Sequence, residues 1–474
     1  MPFSPNYAPT TVHTRLGPDF YDAVRPAVFP KHVLRHRDRV WDAKVGLGDL
    51  TDKEWIDHFG RFKPLPGALE MPLALRYHGH QFRVYNPDIG DGRGFLFAQL
   101  RDDAGRLLDL GTKGSGQTPW SRDGDGRLTL KGGVREVLAT SMLEALGVDT
   151  SKSFSLIETG EELWRGDEPS PTRSAVLVRL SHSHIRIGSF QRLRFLDEVA
   201  NISKLLSHCV EHYLPEARRE DEAERAVAFL EAVGRRVART GAAWMMAGFV
   251  HGVLNTDNIN ITGESFDYGP WRFLPVLDPK FTAAYFDQTG LYAYGRQPDT
   301  LLWNMTRLAE CLLPLVAQER LEEALRGFEP VFRAEFDAAM RRRLGLASAG
   351  SEADARLVGA VWKFLIDSQM PFEQFFFDWF GGPASEARAA AGPEAERYAS
   401  EAFAPVRQAF SPYGPDLRIA PDRPYFGGAA PCTMLVDEVE AIWDRIAAHD
   451  DWTALEAKLA AIAGMKEAYT ATSA

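Results

Sequence analysis

Residues 249–270 read FVHGVLNTDNINITGESFDYGP. Within them Asn258 follows His251 by seven positions and Asp267 follows Asn258 by nine, just ahead of Tyr268-Gly269. An amide and a carboxylate are hard oxygen ligands, of the kind magnesium takes while it also holds phosphates. Each also has an ordinary reading, Asn258 as a turn residue and Asp267 as a cap. Asp257, beside Asn258, is a carboxylate that either takes a proton from a nucleophile or caps the loop.

Protein kinases carry a catalytic loop, a metal-binding Asn and a second metal-binding Asp before Gly in this order and at about this spacing. Val253 stands where a kinase has its catalytic Asp. The stretch therefore predicts a kinase-like metal site without the usual base, and such a site requires a Lys and a helical Glu upstream.

Upstream, GFLFAQLR (94–101) and RLLDLGTK (106–113) flank DDAG, which predicts a β-hairpin ending at Lys113. Apolar residues from Val134 to Leu146 recur with helical period, so 132–147 is a predicted helix with Glu136 in its first turn. Taken alone, Lys113 and Glu136 are equally a surface lysine and a helix-start acid that suits the dipole. Strand-like runs follow at 153–159 and 175–180, with RGDEPSPT as the turn between them. Beyond Ser189 the pattern turns helical near 192–213, 222–247, 299–316, 355–369 and 436–463, with a surface helix or linker near 384–399. The fold class expected is α+β, a two-lobed protein-kinase-like fold. Residues 1–65 form an N-terminal extension packed on the lobes, 66–190 the N-lobe, and 191–474 a mainly helical C-lobe with additional C-terminal helices. The run Arg35-His36-Arg37-Asp38-Arg39 reads as a solvated face.

The 474 residues exceed what one small core organises. A formal charge of -11 disfavours general nucleic-acid binding, which needs clustered Lys and Arg. Cys209, Cys311 and Cys432 form no metal spacing and read as buried thiols of a reducing compartment. No apolar stretch has signal-peptide or membrane-span character, so a cytoplasmic protein without membrane partners is expected, and a monomer.

Three glycine-rich pieces compete to cradle phosphate: Gly90-Asp91-Gly92-Arg93-Gly94, Gly111-Thr112-Lys113-Gly114-Ser115-Gly116 and Gly124-Asp125-Gly126-Arg127. None matches the P-loop pattern, and tight turns need glycine just as much. Arg179 and Arg186 flank His182 and His184 in VRLSHSHIRIGSF, either as a phosphate clamp or as exposed strand-end charges.

Together, YHGHQF, GDGRG, DLGTKGSGQTPWSRDGDGR, KGGVREVLATSMLEALGV, VRLSHSHIRIGSF and GVLNTDNINITGESFDYGPW resemble the SelO family of protein adenylyltransferases, kinase-fold proteins long labelled pseudokinases. The resemblance runs from about Leu16 past Pro298. It implies ATP bound in a flipped orientation between the lobes, with AMP passed to Ser, Thr or Tyr hydroxyls of protein substrates. By motif, Gly90, Gly92, Arg93, Lys113, Asp125, Gly126, Arg179, Arg186 and Asp267 bind the nucleotide and Glu136 positions Lys113. Asn258 and Asp267 hold Mg²⁺ or Mn²⁺, and Asp257 accepts the proton. Many members carry a cysteine or selenocysteine near the C-terminus, whereas KEAYTATSA (466–474) has none. The residues alone leave two other readings: an ATP-dependent small-molecule phosphotransferase, since HGxLxxxN also occurs in aminoglycoside-type kinases, and a nucleotide-binding pseudokinase without turnover.

Overall fold

The computed structural model describes residues 3–420 and 422–470; residues 471–474 of KEAYTATSA lie outside it. Its strands are β1 (Ala8–Thr10), β2 (Tyr21–Ala23), β3 (Val33–Arg37), β4 (Leu73–Leu75), β5 (Gly79–Gln81), β6 (Val84–Asn86), β7 (Leu96–Arg101), β8 (Leu107–Lys113), β9 (Leu128–Thr129), β10 (Lys152–Leu163), β11 (Thr172–Ser181), β12 (Phe249–His251) and β13 (Trp271–Phe273). The large sheet runs β2-β4-β7-β8-β11-β10-β3, with β1 on β7 and β9 on β11. Its pairings are antiparallel. The predicted hairpin forms as β7–β8, and the strand-like runs at 153–159 and 175–180 lie in the longer antiparallel pair β10–β11. Asp102 closes the first by accepting from the backbone N–H of Ala104 at 3.1 Å and of Arg106 at 2.8 Å.

Alternation along β11 divides the core in two, as a period of 2 requires. Val176, Val178 and Leu180 join Trp55, Phe59 and Phe154 beneath α1 (Arg39–Lys44) and α2 (Asp52–Phe59). Ala175 and Leu177 join Val134, Val137 and Leu138 of α3 (Leu130–Ala145) on the other face. The run Arg35–Arg39 is not a solvated face: most of it lies in β3, paired with β10. Arg37 is buried because Asp42 and the carbonyls of Leu47 and Leu50 accept from its guanidinium, which lies over the Trp55 ring at 4.0 Å.

The second half is helical: α4 (Ile187–Phe195), α5 (Val199–His212), α6 (Glu222–Met246), α7 (Gln297–Leu312), α8 (Gln318–Arg326), α9 (Phe328–Leu344), α10 (Ser351–Ser368), α11 (Phe372–Asp378), α12 (Glu386–Ala391), α13 (Ala395–Ala399), α14 (Ala404–Phe410), α15 (Val436–His449) and α16 (Thr453–Tyr469). The helix expected over 192–213 is two, because Asp197 between α4 and α5 sits at φ 57° and ends the first. The 384–399 segment splits around Gly392-Pro393 into α12 and α13. Cys209 and Cys311 are buried as expected, but Cys432 is only half-buried, in the irregular segment before α15. Among the described residues no helix is long and apolar enough to cross a membrane.

Candidate active site

A cavity of about 650 Å³ opens between the sheet and the β12–β13 ribbon, within the range of small-molecule sites. Strand register builds its floor. Leu177 of β11 pairs with Lys113 and Arg179 pairs with Gly111, so Lys113 and Arg179 are diagonal neighbours on one face. Opposite Arg179 only glycine fits, since a Cβ at Gly111 lies 2.2 Å from the His184 ring. Lys113 is almost fully buried and ion-paired with Glu136, which α3 carries beneath it. Thr129 caps this helix, accepting from the Gly132 N–H at 3.1 Å.

Arg179 and Arg186 are not exposed charges; their side chains are 7% and 2% accessible. Arg179 reaches the Asp267 carboxylate at 3.1 Å, and Lys113 reaches the same oxygen at 3.0 Å. Arg186 lies over the Tyr77 ring at 4.0 Å, donates to the Asp257 carbonyl at 3.3 Å and approaches Asp91 at 3.4 Å. Of the competing glycine pieces, 90–94 and 124–127 form one rim together. A Cβ at Gly90 strikes the Trp120 ring at 2.5 Å and one at Gly92 meets the Trp120 carbonyl at 2.8 Å. Gly126, at φ 69°, abuts the Gly116 backbone. These glycines let two loops stack, and the stacked loops turn Arg93 and Asp125 toward the cavity.

The ribbon supplies the opposite wall. Gly252 N–H donates to the Pro270 carbonyl at 2.8 Å, which closes the long loop between β12 and β13. Gln297 and Asn304 of α7 fasten it by donating to the carbonyls of Phe249 at 3.0 Å and Leu254 at 2.9 Å. A bridge between Thr150 and Ser265 ties it to the sheet half. Asp267 is held at φ 61°, a left-handed conformation that Asp tolerates better than most residues. Burial alone raises its pKa, but Lys113, Arg179, Arg186 and Arg93 outweigh burial and hold it well below the usual carboxylate range. Asp257 behaves oppositely. Burial pushes it up to about 7 and Asp267 adds to that, while Arg186 and a hydrogen bond from Gln81 counter only partly. One of its carboxylate oxygens is buried without a hydrogen-bond partner.

Asn258 stands apart from the other sequence-predicted residues. Its amide donates to the Val253 carbonyl at 2.8 Å, and it does not line the cavity, although its neighbour Asp257 does. The bond uses an amide proton of Asn258, and the chemistry of an amide oxygen and a carboxylate, both hard-oxygen donors, fits Mg²⁺ or Mn²⁺. Among the described residues no three His, Cys, Asp or Glu side chains gather as a metal site. The sequence reading missed Gln81, Asp91 and Arg165. Asp91 was visible inside GDGRG, but Arg165 gave no signal; the turn after β10 brings it to Asp125 at 2.8 Å.

A rim of backbone turns over converging cations, with one ionised and one neutral-leaning carboxylate, has the chemistry of an enzyme that moves part of a nucleoside triphosphate. Relatives agree in class. The chain is 43% identical over 477 residues to the protein nucleotidyltransferase YdiU of Trichodesmium erythraeum (strain IMS101), covering 94% of this chain and 96% of that one. It is 46% identical over 450 residues to the protein of that name from Gloeobacter violaceus (strain ATCC 29082 / PCC 7421), at 92% and 91% coverage. The family model for protein adenylyltransferase SelO matches residues 4–463. The chain belongs to the SelO family of protein adenylyltransferases.

Proposed function

We propose that the enzyme transfers AMP from ATP to Ser, Thr or Tyr hydroxyls of protein substrates and releases pyrophosphate. The scaffold is read as a two-lobed kinase-like fold, with an extension at 1–65, an N-lobe at 66–190 and a C-lobe at 191–474. The observation that carries this reading is the convergence of Lys113 and Arg179 on Asp267, with Arg186 beside them. So many buried cations suit the β- and γ-phosphates at the closed end of the cavity, which leaves the α-phosphate toward Asp257. Gly90, Gly92, Arg93, Asp125 and Gly126 then border the rest of the nucleotide.

Asp257 takes the acceptor hydroxyl's proton as the oxygen attacks the α-phosphorus. The bond from the α-phosphorus to the bridging oxygen breaks, and the electron pair leaves with pyrophosphate. Lys113, Arg179 and Arg186 stabilise the charge that grows on this leaving group, a preorganised electrostatic effect inside a buried site. Asn258 and Asp267 would hold Mg²⁺ or Mn²⁺, which would supply Lewis-acid neutralisation of phosphate charge. Lack of the kinase base at Val253 is consistent with this division, because a general base contributes only about 10²–10⁴-fold. We read the protein as a cytoplasmic monomer acting without nucleic acid or membrane, in keeping with its charge of -11.

Incubation with ATP labelled at the α- or the γ-phosphate tests the reaction. Label on protein is expected from the α position alone. Transfer of γ label to protein or to a small molecule overturns the proposal.

A further inference from the structure

The hairpin of β5 and β6 stands against the ribbon loop at the cavity mouth. Its tip, Phe82-Arg83, has φ values of 50° and 63°, a two-residue turn that aims Phe82 along the loop. Asn255, two residues before Asp257, is the shared anchor. Its side-chain oxygen accepts from the Phe82 N–H at 3.0 Å and from the Tyr292 hydroxyl at 2.6 Å. The same hairpin reaches Asp257 itself, since a Cβ at Gly79 lies 2.9 Å from its carboxylate.

Tyr292 belongs to a loop that displays two adjacent aromatic side chains, Tyr285 at 84% and Phe286 at 46% exposure. Phe286 meets the Phe82 ring at 5.8 Å and Tyr285 at 5.1 Å. This exposure is built into a fixed frame. The buried carboxylate of Asp287 accepts from the N–H groups of Leu291 and Tyr292, both at 2.8 Å, so the loop is closed on itself directly behind the exposed rings. Large apolar side chains held in water by a fixed frame mark a contact surface. The occupant follows from the reaction: the acceptor is a polypeptide and must bring a hydroxyl to Asp257, a path that runs along this hairpin.

We infer that the acceptor polypeptide docks on the rim made by Phe82, Tyr285 and Phe286 and presents an extended segment with an apolar residue within a few positions of its hydroxyl. This rests on the protein-adenylylation reading above. The aromatic rings hold the flanking residue while Asp257 meets the hydroxyl, so the rim governs acceptor binding and leaves nucleotide binding untouched.

The test uses the full-length enzyme and a synthetic peptide library with one central Ser, Thr or Tyr and either Leu or Ser at the flanking positions. With ATP labelled at the α-phosphate, the wild type is expected to modify Leu-flanked peptides at least tenfold more efficiently. The Tyr285→Ser/Phe286→Ser variant should lose that preference through KM, with kcat and affinity for a fluorescent ATP analogue unchanged. Fluorescence anisotropy of the same peptides on enzyme loaded with a non-hydrolysable ATP analogue reads docking without transfer. Leu-dependent binding that the variant loses supports the rim even if no AMP is transferred, in which case only the reaction fails. Equal peptide binding by wild type and variant overturns the rim even if AMP transfer is intact. Light scattering that shows a wild-type dimer absent in the variant assigns the surface to a second copy and also overturns it.

Discussion

Asp257 and Asp267 lie ten positions apart in one loop, the first buried and the second half-buried, both facing one cavity, and their acidities shift in opposite directions. Asp267 takes Lys113 and Arg179 on a single carboxylate oxygen and stays ionised. Asp257 has Arg186 close by, yet that guanidinium donates to its backbone carbonyl and to Asp91, so burial dominates and the pKa rises to about 7. Desolvation is common to both; a cation in direct contact with the carboxylate decides between them. In the proposed reaction, the end that takes phosphate is thus fixed in charge, and the end that holds the base exchanges a proton near neutral pH.

The largest break in this contrast comes from Asp267→Ala, which removes the carboxylate that Lys113 and Arg179 share and the proposed metal donor. AMP transfer measured with α-labelled ATP should fall about 10³–10⁴-fold, as expected for losing several kcal/mol of charge stabilisation. Next, Asp257→Asn should lower kcat/KM by about 10²–10³-fold with nucleotide affinity retained. The pH profile sharpens this. A base must be deprotonated, so wild-type kcat/KM should rise with pH up to about 7 and level off above, and the Asn variant should lack that limb. Stability carries the contrast with both signs worked out. The raised carboxyl of Asp257 resists charging in the folded state, so its contribution declines as pH climbs to about 7. The depressed Asp267 contributes above the unfolded carboxylate pKa of about 3.9 and loses that contribution as pH falls below it.

A smaller, structural break is Lys113→Met. It leaves Glu136 buried and unpaired, which should cost about 3–5 kcal/mol in denaturant unfolding. Adding Glu136→Leu should restore most of the stability and none of the activity; a double variant no more stable than the single contradicts the pairing argument. Smallest of all is Val253→Asp. Placing a carboxylate at the kinase position should give no γ-label transfer, because nucleotide direction selects the phosphorus attacked. Strong phosphorylation by that variant counts against the flipped nucleotide.

Local chemistry explains which parts were readable beforehand. The hairpin ending at Lys113 and the helix carrying Glu136 announce themselves through turn residues and helical period, both properties of neighbouring residues. The break at Asp197 hangs on one residue's backbone conformation, so apolar periodicity runs through it unnoticed. Arg37 was misread because its partners, Asp42 and the carbonyls of Leu47 and Leu50, become partners only when β3 joins the sheet. Arg165 reaches Asp125 across 40 residues and had no pattern to betray it.

The sequence by itself determined the order and spacing of Lys113, Glu136, Asp257, Asn258 and Asp267, and the family to which that order belongs, because spacing is carried by the chain. Tertiary structure alone decided that Arg179 lies beside Lys113, that Gly90 and Gly92 yield to Trp120, and that Asp257 and Asp267 part in acidity. Those outcomes depend on strand register, on the space left by neighbouring side chains and on which cation touches which oxygen, none of which exists until distant segments meet.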